Sequence, residues 1–177
     1  MMGTTHVAFA LLCYYIMAYS AGLSFDAPAV LTLLVVGSLL PDIDQPRAFL
    51  ARQLCLFKRA SRGIGRYVTH RGIVHSLLAA LIATFAVWVV ALFYDLETLA
   101  VTCFFLGFIS HLAADSLNPT GIKLLQPVSK AKLKDGIRTG SAVEKLFFLL
   151  VVAAISVISY LSDIFPELSS LCLWHII

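Results

Sequence analysis

Ile73-Val-His-Ser-Leu-Leu-Ala-Ala-Leu-Ile-Ala-Thr-Phe-Ala-Val-Trp-Val-Val-Ala-Leu-Phe-Tyr94 carries no Asp, Glu, Lys or Arg across its whole length. A helix needs about 20 apolar residues to cross the hydrocarbon core of a bilayer, and this stretch meets that length. Four further apolar stretches flank it. With the polar ends that continue the shorter ones, the candidate spans are 7–23, 27–44, 73–94, 98–115 and 143–161. Of the 177 residues, 60% are hydrophobic and 13% charged, and mean hydropathy is +0.92. A soluble domain carries roughly 25% charged residues, so this chain has too little polar surface to cover itself in water. The expected fold is all-α: a polytopic membrane helical bundle of about five spans, forming one domain over 1–177.

The charges are sorted. All 13 Lys and Arg lie between Arg47 and Lys145, in the long segments 45–72 and 116–142 or at their edges. The short turns and the tail carry only acids: Asp26, Asp95, Glu97, Asp163 and Glu167. Positive loops stay in the cytoplasm. Both long segments are therefore expected to be cytoplasmic, with the N-terminus on that side and 162–177 outside. No Lys or Arg precedes the first apolar run, so it is read as an uncleaved span rather than a signal peptide. The stretch Arg52–Arg66 mixes basic and apolar residues, which suits an anionic lipid surface or a loop that only sets topology. Ile122–Pro127 reads as a short strand or an interfacial turn. The four cysteines, Cys13, Cys55, Cys103 and Cys172, match no metal-binding spacing. No nucleic-acid partner is expected.

Alternating spans would bring a scattered set of polar residues to one side. His6, Asp42, Asp44, His70, His75, His111, Asp115 and Glu144 each fall near a cytoplasmic end. His111-Leu-Ala-Ala-Asp115 is the sharpest signal, because residues four apart share a helix face. Pro41-Asp-Ile-Asp-Gln-Pro46 offers two carboxylates, of the kind that bind or bridge divalent cations. Thr69-His-Arg-Gly-Ile-Val-His-Ser76 opens the third span. His70 and His75 there are offset by about 140° on a straight helix, and Gly72 would let the backbone turn. Arg71 is suited to a phosphate or a carboxylate, although the positive-inside rule alone also explains it. Glu144 near a helix start is favoured by the helix dipole whatever its role. His175, on the opposite side, is incidental.

Three stretches, Leu40–Pro46, His70–Ser76 and Ser110–Gly121, resemble in their order the YdjM-like family of bacterial inner-membrane metal-dependent hydrolases. With His6 and Glu144 the resemblance reaches to about residue 150. It implies a multi-pass protein of the bacterial inner membrane. A more remote similarity is to zinc-dependent phospholipase C and single-strand nucleases, whose ligands run His, Asp, His, His-x-x-x-Asp and then Glu or Asp. The chain departs from that pattern: it starts Met-Met-Gly and has no His between Asp115 and Glu144.

Together these readings point to a membrane-bound hydrolase of a phosphoester in a lipid or lipid-linked substrate. Two divalent ions, zinc or alternatively manganese, would activate the water. His6, His70, His111 and Asp115 are the expected core ligands. Asp42 or Asp44 would bridge or act as base, His75 would be a further ligand, a catalytic group or a residue behind the ligands, Glu144 would be a further ligand by the remoter similarity, and Arg71 and Lys123 would face phosphate. A non-enzymatic metal-binding protein is the alternative. A transporter is a weaker one, because it would want ionisable groups near mid-bilayer.

Overall fold

The computed structural model describes residues 1–21, 28–44, 73–129 and 131–164. Five helices form a bundle: α1 (Gly3–Ala21), α2 (Pro28–Leu39), α3 (Leu77–Tyr94), α4 (Thr98–Ser116) and α5 (Ala142–Ile164). Two 3-10 turns, Leu40–Asp44 and Ile73–His75, continue α2 and precede α3. By length and composition α3, α4 and the Ala142–Ser162 part of α5 can cross a membrane, and Pro28–Asp42 is a shorter apolar helix. The all-helical bundle is the expected one.

Helix α4 is the central element. It packs most extensively on α2 and also on α1 and α3, while α5 lies against α1. In α4, 61% of the most apolar stretch is buried, against 11% in α3 and in α5. The outer surfaces of α3 and α5 present Leu81, Ile82, Phe85, Leu92, Phe93, Leu149 and Leu150. In water such a surface would be an aggregation liability. Facing lipid, such a surface meets tails as apolar as itself, and a helix pairs its interior backbone groups within itself.

Two glycines set the spacing of the central pair. A Cβ added at Gly37 would collide with the Phe104 carbonyl, and one added at Gly107 would collide with the Leu34 carbonyl. Helices α2 and α4 therefore cross with backbone against backbone, the close approach that small residues permit in membranes. Above this crossing Ala10, Tyr14, Ala18, Val30, Leu34, Ala100 and Cys103 form one buried cluster. Below it Ala80, Phe104, Phe108, Leu112 and Ile122 form a second, which leads down to the polar end of the bundle.

Local chemistry sets the helix ends. Ser76 is extended (φ −121°, ψ 160°), and its Oγ accepts the Ala79 N–H, so α3 begins at Leu77. His75 thus sits in the turn before the helix rather than on it. Asp95, left-handed at φ 52°, closes α3 with its N–H on the Ala91 carbonyl, and the short turn Asp95–Glu97 leads into α4. Beyond α4 the chain doubles back: Ile122 and Leu133 pair as an isolated antiparallel bridge, and residues 124–128 form a turn, so of the two readings, strand or turn, the segment is a turn after a single bridge. The Leu124 carbonyl takes the Leu77 N–H at 2.9 Å and the Leu117 carbonyl takes the Ile137 N–H at 2.9 Å. These bonds fasten Leu124 to the start of α3 and Ile137 to the end of α4. The stretch Arg52–Arg66, the turn 22–26 and the tail 165–177 lie outside the described residues.

Candidate metal centre

Five helix ends meet at one end of the bundle, and four of them bring candidate donors, α5 joining through the Glu144–Met2 bond. The start of α1 brings His6, the turn after α2 brings Asp42, the turn before α3 brings His75, and the last turn of α4 brings His111 and Asp115. His6, His75, His111 and Asp115 are buried to 1% exposure or less, and the Asp42 side chain is 13% exposed. Asp42 is thus the carboxylate of the group that reaches outward.

Distances within the group are short. His6 Nε2 lies 3.4 Å from Asp115 Oδ1. His75 Nε2 lies 3.7 Å from Asp42 Oδ1 and 3.9 Å from Asp115 Oδ2. His111 Nε2 is 3.9 Å from Asp42 Oδ1. The His6 and His111 rings stack with centroids 3.8 Å apart, and His75 is tilted 60° to His111 at 5.3 Å. The Met1 amino group donates to Asp115 Oδ1 at 2.8 Å. Two sets of three donors, His6–Asp42–His111 and His75–His111–Asp115, each hold one ligand atom per residue within 4.8 Å of the others.

The donor chemistry fits a divalent cation. His111 Nδ1–H donates to the Ser38 carbonyl at 2.7 Å, which leaves the lone pair on Nε2 turned into the group. Such an outer hydrogen bond orients a ligating imidazole and raises its basicity. His111 Nε2 and both ring nitrogens of His6 are buried with no hydrogen-bond partner among the described residues. A buried polar atom without a partner costs about 1–3 kcal/mol, and a bound cation offsets that cost at these nitrogens. Of the two carboxylates, Asp115 is already paired with the Met1 ammonium, while Asp42 faces His75 and His111. The same Ser38 bond limits the count. His111 has a single nitrogen to offer, so the two sets of three cannot both be complete at once.

The expected set is partly redrawn. His6, Asp42, His111 and Asp115 come together as read. His75, read as a ligand, a catalytic group or a residue behind the ligands, belongs to the second donor set and sits in the 3-10 turn before Ser76. His70 and Arg71 lie outside the described residues. Asp44 ends the 3-10 turn after α2. Lys123 lies beside the Leu124 carbonyl that holds the start of α3.

Glu144, expected as a ligand, belongs to neither donor set. Its Oε1 accepts the Met2 N–H at 2.6 Å and its Oε2 the Gly140 N–H at 2.5 Å. Both oxygens are thus spent on backbone, and Glu144 ties the start of α1 to the turn before α5. Sequence reasoning also missed Ser38, Asn118 and Thr139. The Asn118 amide donates to Thr139 at 2.8 Å and its Oδ1 accepts from Thr120, which holds the loop against the end of α4. The partner of Asn118 lies 21 residues on, which no local pattern encodes.

The family model for the YdjM inner membrane protein matches residues 1–175. Over 95 residues the chain is 43% identical to the inner membrane protein YdjM of Escherichia coli (strain K12), a match covering 52% of this chain and 46% of that protein. The match to the protein of the same name in Shigella flexneri has the same identity and coverage. Over 147 residues it is 31% identical to the YvsG protein of Bacillus subtilis (strain 168), covering 82% of this chain and 86% of that one. The chain thus spans about half the length of the YdjM proteins it matches. No solved structure matches it. These comparisons do not show the remoter similarity to phospholipase C and single-strand nucleases. They do carry the nearer one: the chain is a membrane protein that belongs to the YdjM inner membrane protein family.

Proposed function

We propose that the protein is a metal-dependent hydrolase acting on a phosphoester in a lipid or lipid-linked substrate at the cytoplasmic leaflet. One observation carries this reading: two donor sets of three sharing His111, gathered at one end of an apolar bundle. His6, His75, His111, Asp42 and Asp115 would hold the metal. Mixed imidazole and carboxylate donors suit zinc, with manganese as the alternative. When bound, such an ion supplies positive charge at a phosphoryl oxygen and makes water a nucleophile near neutral pH.

The chain's own residues have separable tasks. Ser38 fixes the His111 ring through its carbonyl. Asp42, the more exposed carboxylate, is placed to accept a proton from the attacking water. Lys123, and Arg71 from the preceding segment, balance the charge of a phosphate. Two ions remain compatible with this donor set when Asp42 or Asp115 bridges through its two oxygens. The basic segments 45–72 and 116–142 support the cytoplasmic side.

The test is purified protein in nanodiscs, assayed for metal and for metal-dependent release of phosphate or head group from a lipid panel. Turnover that needs the metal and is lost in Asp42→Asn supports the proposal. A protein that holds metal but turns over no lipid supports the non-enzymatic reading, in which the coordination shell is closed.

A further inference from the structure

An apolar groove of about 310 Å³ runs along α1 and is walled by Val35 and Leu39 of α2 and Phe148 of α5. On α1 it is lined by Gly3, Thr4, Val7, Ala8 and Leu11. At 1.5 Å per residue, Gly3 to Leu11 gives it a length of about 12 Å parallel to the helix. One end lies level with the candidate metal centre: Gly3 and Val7 bracket His6, Leu39 precedes Asp42 by three residues, and Phe148 is one turn past Glu144. Thr4, the polar residue of the lining, is exposed at that end. The other end points into the apolar body of the bundle.

We propose that this groove takes one acyl chain of a membrane phospholipid and so brings its phosphate to the metal centre. The inference rests on the hydrolase reading for what happens to the phosphate, but the occupant is argued independently. The groove's α1 lining, Gly3, Thr4, Val7, Ala8 and Leu11, follows one face of a helix for about two turns. Its lining offers an acyl chain only apolar contacts below Thr4, which excludes a free sugar or nucleotide phosphate as its occupant. Its wall is α5, whose outer face is already lipid-exposed, so a chain can enter sideways from the bilayer without crossing water. Specific pockets start at about 300 Å³, so the groove holds part of one chain and no more.

The experiment uses the full protein in nanodiscs containing a phosphatidylglycerol with a diazirine in one acyl chain. Photolabelling is mapped by peptide mass spectrometry. The expected label falls on 3–11, 35–39 and Phe148, saturates at one lipid per protein, and drops at least tenfold in Val7→Trp, which fills the groove. Leu11→Trp is the second variant should Val7→Trp fail to fold. Label spread over the outer face of α3 (Leu81, Phe85, Leu92), unsaturated and unchanged in both variants, overturns the proposal. Metal content of Val7→Trp, expected at the parent level, separates this claim from the metal centre. If no lipid is hydrolysed yet the groove labels and saturates, the hydrolase reading fails and the acyl site stands.

Discussion

Gly107→Ala tests how the packing of the bundle reaches the metal centre. The added methyl meets the Leu34 carbonyl and the Ser38 amide at less than van der Waals distance, so α2 must move away from α4. Overpacking of this kind costs about 1–3 kcal/mol. The same movement draws the Ser38 carbonyl off His111 Nδ1, a bond of 2.7 Å, which adds about 1 kcal/mol. Loss of an outer partner to a ligating imidazole lowers metal affinity by about 10- to 100-fold. The variant is therefore expected to lose about 2–4 kcal/mol of stability and to bind metal at least tenfold more weakly. Unfolding of the detergent-solubilised protein and competition with a zinc indicator read the two effects. Gly136→Ala is the control, because a Cβ there meets nothing within 4 Å. Parent-like stability and metal affinity in Gly107→Ala would refute the reasoning. Loss of stability with unchanged affinity would refute the link from crossing to site.

Other consequences are independent of that one. Ser76→Ala removes the cap of α3 and should cost about 1 kcal/mol, with the turn holding His75 loosened and thermal unfolding as the readout. Glu144→Ala frees the Met2 and Gly140 amides; each lost bond to a charged group is worth about 1.5–3 kcal/mol, yet saturating metal content should be unchanged. Loss of metal in Glu144→Ala with parent-like stability would restore Glu144 as a ligand. Reporter fusions after residue 60 and after residue 130 should report cytoplasm, and a periplasmic signal from either would reverse the proposed side.

The bundle was legible because membrane spans write themselves in composition: the run Leu77–Tyr94 needs no partner to declare itself. His111 and Asp115 were legible because helical spacing places them on one face. Convergence of the five ends followed from alternation of direction alone. The place of His75 was not legible, since it depends on a 3-10 turn and a serine cap that break the straight-helix rule. The role of Glu144 depends on a contact 142 residues away in sequence, which no local pattern encodes. Gly37 and Gly107 sit in different helices, and neither forms a repeated small-residue motif. Their pairing appears only once α2 and α4 are laid together.

Anomalous diffraction at the zinc edge from crystals of the zinc-loaded protein tests the central claim most directly. The account predicts a peak within bonding distance of His111 Nε2, flanked by His6 or His75 and by Asp42 or Asp115, and its disappearance in Asp115→Ala. Zinc found only at the surface, with the His6, His75 and His111 nitrogens unligated, would contradict it.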